Sequence, residues 1–150
     1  MQAWIDKHAV LFALGDIAFL LLAVSTIISY TGGWHSLSRR FRFRGKFQGQ
    51  RWRCQNIQMR GIAGYRNCVT LGVSSQGLYL AASLPLFRIA HPPLLIPWDE
   101  ISSTRGKLLF LKMVKLQLGR ESPVPLWIRV GLADKLKTAA GSKWPIERLG

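Results

Sequence analysis

The pattern of apolar and polar positions changes period twice along the chain. From residue 10 to residue 30 the sequence VLFALGDIAFLLLAVSTIISY is apolar on every side, broken only by Asp16 and small hydroxyl residues. A run of this length matches the roughly 20 residues that a helix needs to cross the hydrocarbon of a bilayer. It predicts one transmembrane helix. Thr31, Gly32 and Gly33 then supply backbone that tolerates a left-handed helix end. The run is too long for a signal-peptide core, its leading flank holds only Lys7 among Lys and Arg, and no A-x-A site follows, which argues against a cleaved leader.

Residues 34–50 form a second region in which aromatic residues interleave with Arg and Lys. Trp34, Leu37 and Phe41 are spaced i, i+3, i+7, which predicts one face of a short helix lying along a bilayer interface as anchors, with arginines reaching toward headgroups.

From residue 51 onward short apolar or alternating runs are separated by turn residues, the signature of strands. The runs at 51–59, 68–73, 78–81, 94–96, 102–105, 110–118 and 124–130 predict seven strands, the first ended by a loop at 61–64. Within 110–118, Val114, Leu116 and Leu118 are expected to face inward, and Lys115 and Gln117 water. After Gly131 the period becomes helical, with Leu132, Leu136 and Ala139 or Ala140 on one face. The expected fold is mainly β: one N-terminal transmembrane helix, then a small bent sheet or barrel of seven strands capped by a C-terminal α-helix. The domain plan is a flank and membrane helix at 1–33, a basic neck at 34–50, the β domain at 51–141 and a tail at 142–150.

Composition sharpens this picture. Subtracting the membrane helix leaves roughly 110 residues, enough for one modest core. Hydrophobic residues make up 49% of the 150 and charged residues only 19%, which excludes a disordered chain and an ordinary water-soluble domain. The formal charge is +14, and no acidic residue occurs between Asp16 and Asp99. Like charges on a compact body repel unless an acidic partner offsets them, so anionic lipid, an acidic protein surface or nucleic acid is implied. The candidate contacts are Arg39, Arg40, Arg42, Arg44, Lys46, Arg51 and Arg53. Each basic residue beside an anionic leaflet contributes about 1 kcal/mol before screening. The same bias sets topology, with the N-terminus outside and the C-terminal domain in the cytoplasm. Phe41, Phe43, Phe47 and Trp52 could also stack on single-stranded bases, but no nucleic-acid module is present and a tethered chain beside lipid has a simpler use for its charge. A third reading is that the arginines only enforce topology.

Asp16 is costly inside a bilayer and is read either as a protonated or hydrated residue near the outer interface or as a contact to another membrane helix. Cys54 and Cys68 lack metal-binding spacing and are read as small buried hydrophobes, reduced in a cytoplasmic domain, with a disulfide open to them only on the outer side. The sequence holds no nucleophile elbow, phosphate loop, dinucleotide fingerprint or HExxH, so neither catalysis nor a cofactor or metal is expected. His8, His35 and His91 are scattered, and His91, before Pro92-Pro93, is read as a turn residue. Asp99 and Glu100 are expected to start a turn, with Trp98 and Ile101 packed inward.

The phrases Gly77-Leu78-Tyr79-Leu80 and Pro93-Leu94-Leu95-Ile96-Pro97-Trp98-Asp99-Glu100-Ile101 resemble the central part of bacterial PH-like and GRAM-like domains. Together with Met59-Arg60-Gly61, Tyr65, Asn67 and Phe87-Arg88, they are similar to a pattern in bacterial membrane-anchored proteins that carry no assigned activity. The resemblance implies a bacterial inner-membrane location and a PH-like fold across residues 51–141. PH-like folds commonly bind phosphorylated headgroups through the loop between their first two strands. Here that loop would offer Arg60 and Arg66, a departure from a lysine-rich loop. The function expected is a non-enzymatic, single-pass membrane protein whose basic domain docks on anionic lipid, on a protein partner, or on both. The alternative is a small accessory subunit of a larger membrane complex; a homo-oligomer is also open, and nucleic acid is the weakest partner.

Overall fold

A computed structural model describes residues 1–60, 63–108 and 110–148. Helix α1 spans Gln2–Gly32 and is long and apolar enough to cross a membrane. It starts earlier than the apolar run at 10–30 because nothing in the flank breaks a helix. At about 1.5 Å per residue it is roughly 46 Å long. Asp16 therefore falls near its middle, not within two turns of one end. Gly33, at φ 90°, takes the left-handed conformation that ends α1 and turns the chain into α2, Trp34–Phe41. A side chain there would also press on Val124, so the bend is closed to larger residues.

The sheet follows as β1 Gln50–Met59, β2 Ala63–Val73, β3 Gly77–Ala82, β4 Leu94–Pro97, β5 Ile101–Leu108, β6 Leu111–Leu118 and β7 Val124–Arg129. Each overlaps a predicted run, but β2 begins at Ala63 where 68 was expected, because Ala63 and Gly64 of the expected 61–64 loop pair with Met59 and Gln58. Helix α3, Val130–Ala140, and a two-residue strand β8, Glu147–Arg148, complete the chain. The order across the sheet is β4-β3-β2-β1-β7-β6-β5-β8, antiparallel except for β8 alongside β5. Two leaves, β1–β4 and β5–β8, meet at a short seam where Gln58 pairs with Trp127 and Met59 with Leu126. The sheet curls into a half-barrel closed by α3. Gly61 and Ile62, in the predicted 61–64 loop, lie outside the described residues.

The core is built from alternate strand positions, among them Leu71, Leu80, Ile96, Leu116, Leu126 and Ile128. Val114, Leu116 and Leu118 point inward as expected, and Leu132 and Leu136 on α3 join them. Trp98 and Ile101 pack inward around the 3-10 turn Trp98–Glu100.

Two expected boundaries are redrawn. Trp34 and Leu37 are fully buried in the sheet's core, with Phe41 packed beside them, so these residues anchor α2 to the domain and not to a bilayer interface. The apolar stripe was correctly placed on one helix face; the half-barrel's open edge, which no local pattern reveals, supplies the apolar surface it covers. The domain thus begins at residue 34. At the other end, the described part of the expected 142–150 tail is more than a tail: Trp144 packs into the core and β8 extends the sheet.

Candidate functional site

The segment Ala90-His91-Pro92-Pro93 is held at every residue. Ser29 Oγ donates to the Ala90 carbonyl at 2.7 Å. The His91 ring shares hydrogen bonds of 3.0 Å with Ser25 Oγ at Nδ1 and with Tyr65 Oη at Nε2. Trp34 Nε1 donates to the Pro92 carbonyl at 2.9 Å, and the Phe43 amide to the Pro93 carbonyl at 2.8 Å. Prolines leave carbonyls without obliging the fold to accept extra amide donors, so this segment works as an acceptor ladder. Its partners come from α1, α2, β2 and the strand-like chain after α2.

The α1 side of this latch follows from spacing. Ser25, Ser29 and Gly32 lie on one helical face and are its buried residues. They are small, so the segment can approach closely, and two carry hydroxyls that meet polar atoms. The long helix is therefore clamped to the sheet over its last two turns. Arg60 reinforces the junction, its Nη1 donating to the Thr31 carbonyl at 3.4 Å, near the negative end of α1.

His91 is a buried hub and more than a turn residue. It is 4% exposed, and the Trp34 and Tyr65 rings meet its imidazole edge-on. Burial lowers its pKa to about 4 from the ordinary 6.5, a tendency only partly opposed by its backbone hydrogen bond with Phe87. The ring is neutral near pH 7, with one nitrogen donating and the other accepting. Beside it lies an apolar cavity of about 210 Å³, bounded by Leu21, Val24 and Ile28 of α1 and by Trp34, Tyr65 and Phe87.

The loop leading into the latch turns apolar residues outward. Its 3-10 turn, Pro85–Arg88, contacts α1. Leu84, Leu86 and Ile89 are exposed, Ile89 at 73%. They lie on or beside the turn whose Phe87 lines the cavity with Leu21, Val24 and Ile28 of the apolar helix.

The predicted basic residues are not equivalent. Arg40 donates to the Glu121 and Ser122 carbonyls and lies over the Phe41 ring, tying α2 to the β6–β7 turn. Arg60 is engaged at Thr31. Both are engaged within the fold, because turn and helix ends leave carbonyls that a nearby guanidinium satisfies. Arg66 lines a separate groove with Arg129 between the leaves. Arg39, Arg42, Arg44, Lys46, Arg51 and Arg53 are exposed and have no ion pair among the described residues. The aromatics of the neck are used inside the fold. Phe47 stacks on Tyr79 with centroids 4.3 Å apart, Phe43 meets Tyr79 edge-on, and Phe41 and Trp52 pack against the core. A side chain on Gly72 would strike Phe47, so the glycine admits this stack.

Asp16 is exposed on α1 and has no hydrogen bond or ion pair among the described residues. Cys54, expected to be buried, is exposed at a strand irregularity with φ 54°; Cys68 is half-buried, and both thiols are free. No cluster of His, Cys, Asp and Glu able to hold a metal occurs among the described residues.

Sequence reasoning missed Ser25, Ser29, Tyr65 and His91 as one site. The available signal was small hydroxyl residues at i, i+4 near the end of an apolar helix, but their partners lie more than sixty positions away. No protein-family model matches this chain, and no curated protein matches it either.

Proposed function

We propose that this protein is a single-pass membrane protein whose PH-like, basic domain is clamped to its transmembrane helix so that one face is held against an anionic leaflet. The observation that carries the reading is the latch. Ser25, Ser29 and Trp34 fix the sheet to the end of an apolar helix, so a membrane-embedded α1 dictates which surface meets the bilayer. That surface includes Leu84, Leu86 and Ile89, with unpaired arginines on the same leaf. Because the last two turns of α1 are docked, the roughly 35 Å preceding Ser25 serve as the span, close to a hydrocarbon thickness of about 30 Å. The seven antiparallel strands and the closing C-terminal helix support the PH-like assignment. Apolar side chains at the leaflet surface and neighbouring cations are the two signals that together give stable attachment. The excess of Arg and Lys after the helix supports a cytoplasmic side for the domain.

The test uses the full chain in vesicles, with Cys54 and Cys68 replaced by Ser and an environment-sensitive fluorophore on Ile89→Cys. A blue shift in anionic vesicles that weakens in neutral ones and in high salt is expected, with no shift for the same probe on Lys112→Cys. Equal, water-like emission at both positions in anionic vesicles overturns the docking reading.

A second reading, as subunit of a larger membrane complex, is favoured by Asp16. An unpartnered carboxylate midway along an apolar helix carries a cost that a polar group on a neighbouring helix would offset. Gentle detergent extraction tests it: a partner lost on Asp16→Leu supports it, and an unaccompanied chain opposes it.

A further inference from the structure

On the outer face of β1–β3, away from the core, three arginines converge. Arg51 and Arg53 project from β1, and the register β1–β2–β3 sets them beside Thr70 and Tyr79. Arg88 reaches the same place from the apolar loop. Together with Ser83 they line a recess of about 130 Å³. The recess is built around a fixed polar floor. Thr70 Oγ1 and Ser83 Oγ share a hydrogen bond of 3.0 Å, and the Cys54 amide donates to Ser83 Oγ at 3.3 Å. Arg88 Nε donates to the Ala82 carbonyl at 3.1 Å, which steadies the guanidinium and leaves its Nη atoms available. Among the described residues the guanidinium groups of Arg51 and Arg53 have no hydrogen-bonding or ionic partner, and the two ion pairs of the described chain both use Glu147 on the other leaf.

We infer that this recess binds the phosphate of a membrane lipid with a phosphomonoester headgroup. Three guanidiniums around one cavity repel one another unless an anion sits among them. A tetrahedral oxyanion offers each a charge-assisted, potentially forked pair of hydrogen bonds. A monoester brings three free oxygens and close to two negative charges, matching three arginines better than the two oxygens and single charge of a diester. The lipid source follows from continuity: Arg88 and Ser83 belong to the segment whose Leu84, Leu86 and Ile89 face outward beside α1, so the recess opens next to the proposed bilayer surface. The inference rests on the docking reading above. It assigns the headgroup to a place other than the loop between the first two strands, where Arg60 is already engaged with Thr31.

The experiment is lipid retention by the full-length protein in phosphatidylcholine nanodiscs doped with equal fractions of phosphatidic acid or phosphatidylglycerol, read by native mass spectrometry. Wild type is expected to retain phosphatidic acid at least tenfold over phosphatidylglycerol. Arg51→Gln/Arg53→Gln, and the triple variant adding Arg88→Gln, are expected to level the two. Lys107→Gln/Lys112→Gln/Lys135→Gln, which removes the same charge as the triple variant from exposed positions on the other leaf and on α3, should keep the preference within threefold of wild type. The double variant leaves the Arg88–Ala82 contact intact, so its effect separates ligand loss from loop damage. Equal retention of both lipids by wild type, or equal loss of preference in the control variant, overturns the site even where the Ile89 probe still reports docking. Displacement of phosphatidic acid by an equal concentration of soluble glycerol 3-phosphate overturns the lipid assignment.

Discussion

The two leaves of the sheet carry similar numbers of basic residues but treat them differently. The first leaf and its neck hold Arg39, Arg40, Arg42, Arg44, Lys46, Arg51, Arg53, Arg60, Arg66 and Arg88 without one acidic residue in the same stretch. The second is studded with Asp99, Glu100, Glu121, Asp134 and Glu147. There Arg105 pairs with Glu147 at 2.8 Å, Glu100 accepts the Arg120 amide at 2.8 Å, and Lys115 lies over Trp127. Charge on the second leaf is offset in part within the chain, five carboxylates standing among ten Lys and Arg, whereas on the first it is left to be offset from outside. The first leaf is also the one latched to the long helix and edged with exposed leucine and isoleucine. The comparison teaches that net charge alone is a poor guide to a binding surface; what matters is where the fold withholds counter-charges.

Four perturbations test the asymmetry, from the largest effect down. Trp34→Ala removes a fully buried ring and the donor to Pro92, and should lower stability by about 3–5 kcal/mol. Leu126→Ala on the second leaf should cost about 2–5 kcal/mol. Thermal unfolding in detergent compares the two. Only Trp34→Ala is expected also to loosen the domain's orientation, read as exchange of the Ala90 and His91 amides; equal loosening in both would break the contrast. Next, Arg39→Glu, Arg42→Glu and Arg44→Glu together should weaken anionic-vesicle docking at least tenfold, given about 1 kcal/mol per basic residue. The matched set Lys107→Glu, Lys112→Glu and Lys115→Glu should change it less than twofold.

The third concerns His91. Its folded pKa lies below that of the unfolded chain, so between about 4 and 6.5 the unfolded chain binds the extra proton. The contribution of the neutral ring is complete above pH 6.5 and lost as pH falls toward 4. His91→Gln should reduce stability at pH 7.5 and show a shallower decline between pH 6.5 and 4 than wild type; parallel curves would remove His91 from the latch's energetics. The smallest effect is expected for Arg40→Ala. Loss of its bonds to the Glu121 and Ser122 carbonyls should cost about 0.5–1.5 kcal/mol, with vesicle docking within twofold of wild type.

Much of the fold was legible because its signals are local. The alternating runs located seven strands, although the start of β2 at Ala63 was read as loop, and the period change after Gly131 located α3. The i, i+3, i+7 stripe of Trp34, Leu37 and Phe41 located α2, yet the sequence assigned that stripe to lipid. An apolar face states only that it must be covered; the half-barrel edge competed for it and won. The carbonyl partners of Arg40 and Arg60 were invisible for a related reason, since they belong to distant turns and helix ends. Tyr65, His91 and Ser25 converge only after β2 and the β3–β4 loop are brought to α1.

By itself, then, the sequence determined an apolar helix, a basic first half without counter-charges, an alternating β pattern and an amphipathic closing helix, because length, period and composition act over a few residues. Tertiary structure alone decided that the helix is clamped to the sheet through Ser25, Ser29 and the Ala90–Pro93 segment, that Trp34 and Leu37 are core, and that Arg51, Arg53 and Arg88 share a recess. Each of these depends on strand order and register, which bring together groups that no short stretch of sequence contains.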